Sequence, residues 1–208
     1  RIKLTLMKKL STYLFLILFS FQTLSLSSGI KDFEIEGISI GDNLLDHYTL
    51  KEINNAYVYK YKNDEFRYYI LDVRSGTTYD YLQITVKSIH KNVIKPSDKL
   101  KIHSVAGIIR YKFNIDDCYP VQNRIKEELD LFFKIDGITG SKSHEMDKTK
   151  KSILRYVNYY LDAGSDYASA TINCYDMSKE IEDTGFYDQL HLDISSQEFL
   201  KFINEKNW

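Results

Sequence analysis

The sequence predicts an α+β fold, an antiparallel sheet with one long helix packed on one face, and three observations carry that reading. Leu82, Ile84 and Val86 alternate with Tyr81, Gln83, Thr85 and Lys87, which is the period of a strand with one buried face. Between Asp117 and Phe133, the apolar residues Cys118, Val121, Ile125, Leu129 and Phe132 recur at spacings of three and four, the stripe of an amphipathic helix. The third observation is an echo: Tyr79-Asp80-Tyr81-Leu82-Gln83-Ile84-Thr85-Val86 matches Tyr187-Asp188-Gln189-Leu190-His191-Leu192-Asp193-Ile194 at the tyrosine, the aspartate and every second apolar position. Each copy follows a helix and a further strand or hairpin. The alternative architecture is therefore two stacked helix-plus-sheet units, 38–113 and 114–208, set against a chance likeness between two amphipathic strands.

Taken in order, residues 42–55 read as helical with Leu44, Leu45, Tyr48 and Ile53 near one side, Asp42 as N-cap and a break at Thr49. Strand-like runs follow at Tyr57–Tyr61, Arg67–Val73, Tyr81–Lys87 and Lys101–Phe113, with a turn at Ser75-Gly76-Thr77 and a loop around Pro96 and Asp98. Asp116 or Asp117 caps the long helix, Pro120 fits its first turn, and Gly137 and Gly140 mark its exit into a polar loop over 139–151. Ile153–Leu161 and Tyr167–Asp176 read as a hairpin whose turn uses Gly164, and Ala168, Ala170, Ile172 and Cys174 share one face, small enough at the alanines for a helix to approach. A last strand, Gln189–Ile194, precedes a short helix capped by Ser195 or Ser196, with Phe199, Leu200 and Ile203 apolar.

The stretch Met7–Ser28 sets the compartment. Lys8 and Lys9, an apolar core from Tyr13 to Phe21, and the small residues Ser25, Ser27, Ser28 and Gly29 follow the order of a secretory signal peptide. That core is shorter than the roughly 20 residues that span a bilayer, so no integral membrane segment is expected once it is removed. Arg1 precedes the first methionine, and RIKLTL is set aside from the fold. Residues 29–208 are read as a single α+β domain carrying 24 basic and 29 acidic side chains, a formal charge of −5 with no basic footprint for nucleic acid. The two cysteines, Cys118 and Cys174, are both assigned to one disulfide, because export exposes thiols to oxidation and both lie on faces that point into the same helix-to-sheet layer.

A search for chemistry yields no catalytic, cofactor-binding or metal-binding assignment. The five histidines never stand at ligand spacing, and His144-Glu145 lacks the second histidine of a zinc-protease helix. Phe132 and Lys134 occupy places where a calcium loop ending near Asp136-Gly137 would need oxygen ligands. No nucleophile elbow or phosphate-binding glycine loop occurs. The acidic run Glu180 to Asp183 reads as a solvated connector, and the seventeen tyrosines fit strands as well as they fit a sugar- or peptide-binding surface.

The residues Phe33 to Asp42 (FEIEGISIGD), Gly107-Ile108-Ile109-Arg110-Tyr111, Asp117-Cys118 and Cys174-Tyr175-Asp176 together resemble a family of small exported proteins of unknown function from AT-rich marine bacteria. The resemblance spans most of the chain after the signal and implies export, but no site residues. A fainter likeness links Ile38-Ser39-Ile40-Gly41, followed by a helix and strands, to small α-plus-β modules of outer-membrane assembly lipoproteins. The expected function is a noncatalytic periplasmic or secreted protein that binds an envelope protein or component, without a cofactor. Its rivals are a periplasmic enzyme with a site assembled from scattered residues such as Asp72, Asp80 or His191, and a small-ligand binder.

Overall fold

A computed structural model of the chain describes residues 33–205 apart from 74–77, 90–93, 95–98, 113, 146 and 164–165. The signal-like segment 7–28, the turn at 75–77, the Pro96 and Asp98 loop and Gly164 lie outside the described residues. In chain order the elements are α1 (Leu44–His47), α2 (Leu50–Asn55), β1 (Tyr57–Lys60), β2 (Phe66–Asp72), β3 (Tyr81–Lys87), β4 (Ile102–Arg110), α3 (Cys118–Phe133), β5 (Ile138–Ser143), β6 (Ile153–Ala163), β7 (Asp166–Asp176), α4 (Lys179–Glu182), β8 (Gln189–Ser196) and α5 (Gln197–Asn204). All eight strands form one sheet in the order β1-β2-β3-β4-β8-β7-β6-β5, and each neighbouring pair is antiparallel. The fold is thus mixed α and β, dominated by antiparallel sheet.

The connectivity is simple. Strands β1 to β4 form a meander, the stretch containing α3 carries the chain to the opposite edge, and β5 to β8 return inward until β8 pairs with β4. The two echoing strands, β3 and β8, therefore flank β4 on either side. One is the third strand of its meander and the other the fourth, so they do not hold equivalent places even though Leu82 and Leu190 are both fully buried in the same core.

One side of the sheet carries the main apolar core. Leu82 and Ile84 on β3, Val105 on β4, Leu190, Leu192 and Ile194 on β8, and Ala170, Ile172 and Cys174 on β7 pack with Leu44 and Ile53 from the short helices and with Cys118, Ile125 and Leu129 from α3. Cys118 and Cys174 form a disulfide, with Cα atoms 6.1 Å apart. Gln122, wholly buried, donates through Nε2 to the carbonyls of Ile172 (2.8 Å) and Arg155 (2.9 Å), so a helix side chain also bonds the sheet backbone. On β2, Tyr69 and Leu71 belong to this core, whereas Phe66 alternates to the other side and joins Phe199 and Phe202 of α5 in a separate aromatic cluster. Helix α5 accordingly covers one end of the opposite face.

Several local expectations need correction. The polar loop over 139–151 instead begins with β5, whose burial pattern is exposed at all but one position. Its residues lack alternation because an edge strand exposed on both sides has no buried face to encode. Strand β4 ends at Arg110 rather than Phe113. Asp117 makes no side-chain capping bond and instead accepts from Asn114 Nδ2 at 2.8 Å. Asp42 is not the N-cap of α1, which is Asn43; its carboxylate accepts from Ser39 N and meets His47 Nε2 at 2.8 Å. The break at Thr49 is present, because Thr49 and Glu52 form a reciprocal capping box that starts α2 afresh. Helix α3 leaves through Lys134 in the left-handed region (φ 56°), not through a glycine. Gly137 serves packing, since a Cβ there would lie 2.5 Å from Val157 Cγ1.

Candidate functional site

The face opposite the main core is polar across the middle of the sheet, and the strand register dictates why. Alternation on β8 sends His191, Asp193 and Ser195 to the side away from Leu190, Leu192 and Ile194. Pairing then lines these residues up with partners on both sides. Thr85, Ser104, Ser195 and Ser169 form one cross-strand row, Gln83, Ala106, Asp193 and Thr171 the next, and Tyr81, Ile108, His191 and Asn173 a third. The rows span β3, β4, β8 and β7, the centre of the sheet, where a long-lived structure normally buries apolar side chains.

Asp193 is the focus. Its Oδ1 accepts from Ser195 Oγ at 2.7 Å and its Oδ2 from Ser104 Oγ at 2.8 Å. No Lys, Arg or His among the described residues pairs with it. Burial pushes its carboxyl up to about 6, with the two hydroxyls opposing that rise. Burial, with the charge of Asp193 among the further causes, raises the hydroxyls of Tyr61 and Tyr175 above their ordinary range. Asp193, His191 and Tyr175 are each partly buried and lie on this polar face, where they form a polar patch. Ala106, directly across from Asp193, carries the smallest side chain of its row.

The polar patch holds further unpartnered groups. His191 packs on Tyr175 with ring centroids 4.7 Å apart, and burial, assisted by His144, pulls its imidazole down to about 3, so it is neutral across the physiological range. Its Nε2 is buried without a hydrogen-bond partner among the described residues, as is Ser169 Oγ in the neighbouring row. Tyr175 is pushed up to about 12 by burial and by Asp193. Tyr61 is raised further by burial and by Tyr68, and it packs on Tyr68, Phe199 and Phe202.

No family model, curated protein or solved structure matches this chain. The chemistry is therefore read from the side chains themselves. His103, Ser196 and Glu198 come together, but Ser196 Oγ (3.1 Å) and Glu198 Oε2 (3.6 Å) both approach the same Nδ1, whereas a proton relay needs one partner on each ring nitrogen. Ser196 Oγ also accepts from Phe199 N, so its work is to cap α5. Among the described residues, no group of three or more His, Cys, Asp or Glu could hold a metal ion, and no helix is long and apolar enough to cross a membrane.

The scattered residues Asp72, Asp80 and His191 do not converge. Asp72 borders a cleft of about 610 Å³ between α2 and the β1–β2 edge, lined also by Tyr48, Glu52 and Tyr57. Asp80 accepts from Arg110 N at 2.7 Å and fixes the end of the β3–β4 pair. Only His191 belongs to the polar patch around Asp193. Asp193 was not among the sequence candidates, because an aspartate at an outward position of an alternating strand reads as solvent-facing; the signal for it lies in β4, whose outward residues Ala106 and Ile108 are too apolar for an open surface.

Proposed function

We propose that this is a noncatalytic exported protein of the bacterial envelope that binds an envelope protein or component through the polar face of its sheet. In this reading the helical side, led by α3, is scaffold. The observation that carries the reading is Asp193, a partly buried carboxylate that two serine hydroxyls hold in place and that no Lys, Arg or His among the described residues pairs with. A fold tolerates such a group at the centre of a sheet where a ligand completes it. Support for export comes from the charge-then-apolar order of 7–28 and from the disulfide, which persists in oxidising compartments.

The test is photo-crosslinking in the native envelope with the reactive side chain placed at Gln83 or Thr171, beside Asp193 in its row, or at the exposed Glu127 on α3. Adducts from Gln83 and Thr171 but not from Glu127 are expected. Adducts from Glu127 alone would overturn the assignment of the binding face. A product carrying a chemically altered substrate, released without a stable adduct, would favour the enzyme reading instead.

A further inference from the structure

We infer that the β1 edge of the sheet is a self-association surface, at which a second copy of this chain adds its own β1 antiparallel and the two sheets run on as one. This goes beyond the reading of the polar face as a binding face and does not depend on it. Among the described residues β1 ends the sheet on its side and is exposed at all four positions, with Tyr57 64 %, Val58 37 % and Tyr59 39 % exposed. An edge strand leaves a row of backbone donors and acceptors open to another chain. One bond fixes which groups these are. Tyr61 N donates to Phe66 O at 3.0 Å, so the alternation of an antiparallel ladder turns the backbone groups of Tyr57 and Tyr59 toward β2 and those of Val58 and Lys60 outward. The opposite edge, β5, is a poorer surface, because Ile138 is its single large apolar side chain.

Symmetry, ring packing and charge select a second copy as the occupant. A two-fold axis perpendicular to the sheet keeps like faces together, and with the axis at Val58 that residue opposes Val58 of the second copy, each donating to and accepting from the other's backbone. Tyr57 then opposes Tyr59 of the second copy. Tyr59 already stacks on Tyr68 across the β1–β2 pair, with ring centroids 5.0 Å apart and planes within 17°, so Tyr57 of the second copy continues that stack on its outer side. The same register sets Lys60 opposite Ala56 of the second copy. Ala56 lines the cleft of about 610 Å³ beside β1 together with the carboxylates of Glu52 and Asp72 and the single ammonium of Lys51, so each copy carries Lys60 to the mouth of the other's acidic cleft. Charge also selects the register. An axis at Tyr59 would set Lys60 diagonally beside Lys60 of the second copy, a contact between like charges.

The test is sedimentation velocity of the oxidised protein over a wide range of concentration, where a monomer–dimer equilibrium is expected. Val58→Pro removes an outward N–H that its own sheet does not use and should weaken the dimer by about thirtyfold or more. Lys60→Gln should weaken it about tenfold. Glu52→Gln with Asp72→Asn, which keeps an acceptor for the helix cap at Thr49, should weaken it by a similar factor, and all three changes together by no more than either set alone, since both remove the same pairing. Oxidative crosslinking reads the register: opposed hydrogen-bonded residues have Cα atoms about 5.5 Å apart, within disulfide range, so Val58→Cys should give a disulfide-linked dimer and Ile138→Cys on β5 should not. If Val58→Pro does not fold, the charge variants and the cysteines still decide. A protein that stays monomeric throughout would overturn the inference and leave Lys60 as a guard against edge pairing. A dimer indifferent to both Val58→Pro and Lys60→Gln, or one crosslinked through Ile138→Cys, would overturn it as well. Crosslinking through Tyr59→Cys in place of Val58→Cys would overturn the register and the charge match with it, and adducts of Val58→Cys with a different envelope protein alone would overturn the choice of occupant.

Discussion

The two faces of the sheet solve opposite problems with the same strands. On the helical side Leu190, Leu192 and Ile194 of β8 are aliphatics no more than 4 % exposed, and a disulfide ties α3 to β7 beneath them. On the polar side the intervening residues of β8 are His191, Asp193 and Ser195, with a carboxylate that burial renders costly to ionise. The first face carries the stability of the fold, and the second weakens it. A buried acid elsewhere shows that the weakness is not inherent in burying a carboxylate. Asp147, before β6, accepts from both the amide and hydroxyl of Thr149 and of Ser152, at 2.6 to 2.8 Å, and those four donors hold its carboxyl well below the usual range. Among the described residues Asp193 has two donors, both hydroxyls, and no amide. One acid is fully satisfied by its own loop and the other is met by two hydroxyls alone.

The largest effect should come from the helical side. Removing the bridge with Cys118→Ala and Cys174→Ala together frees a segment of 56 residues in sequence separation, which the chain-entropy picture values at about 4 kcal/mol. Thermal or urea unfolding of the double variant should show a loss of that order while the crosslinking pattern at Gln83 and Thr171 persists. Loss of both together would mean that the faces are not separable.

Next in size is the polar side, with the opposite sign. A carboxyl raised to about 6 when folded, from an ordinary 3.8, stabilises the fold fully only below pH 3.8 and loses that contribution as pH rises through 6. Asp193→Asn should therefore stabilise the protein at pH 7 by up to about 3 kcal/mol and make no difference near pH 3. Asp147 has its carboxyl held down, so its contribution is present at neutral pH and lost as pH falls through and below the ordinary range. Asp147→Asn should accordingly destabilise at pH 7. Urea titrations of both variants across pH 3 to 8 check the pair, and two shifts of the same sign would break the contrast.

A third expectation concerns how tightly the helical side is filled. Gly107 sits on β4 between Leu82 and Leu192, and a Cβ placed there would come within 2.5 Å of the Tyr79 ring, which fills the space over the glycine. Gly107→Ala should cost about 2 kcal/mol by overpacking, and Gly107→Ala with Tyr79→Leu should recover part of it. Ala106, the residue before it, lies on the polar face across from Asp193, and if that face binds, Ala106→Gly should change binding more than the unfolding midpoint.

Much of the helical side was legible in the sequence and little of the polar side was. Alternation at Leu82, Ile84 and Val86 and the three-four spacing from Cys118 to Leu129 record a single requirement, the burial of one stripe, and that requirement is local. The position of Cys174 on the small-residue face made the bridge to Cys118 readable as well. β5 was missed because Ile138 to Ser143 is paired through its backbone to a longer β6, and backbone pairing leaves no imprint on exposed side chains. The polar patch was missed because its row of Gln83, Ala106, Asp193 and Thr171 is assembled from four strands, and only the register brings those positions side by side. The Tyr-Asp echo was misleading in the same way, since a shared local pattern marks how each strand begins and not where it lies in the sheet.

The smallest predicted difference separates two adjacent serines. Ser195 and Ser196 end β8 with their side chains on opposite tasks: Ser195 Oγ donates to Asp193 at 2.7 Å, while Ser196 Oγ accepts from Phe199 N at 3.3 Å at the start of α5. Ser196→Ala removes a helix cap and should cost about 1 kcal/mol, independent of pH between 4 and 7 apart from any change through His103, whose Nδ1 is 3.1 Å from the same hydroxyl. Ser195→Ala removes one of two donors that favour the charged form of Asp193, so the carboxyl should rise further and the penalty should grow as pH increases. The measurement is the carbon-13 shift of the Asp193 carboxyl during titration, with unfolding free energies at pH 4 and pH 7 alongside. A rise in the Asp193 midpoint for Ser195→Ala but not for Ser196→Ala is the expected outcome. If Ser196→Ala moves that midpoint as much, the helix cap and the polar patch are one electrostatic unit, and α5 belongs to the polar face and not only to its border.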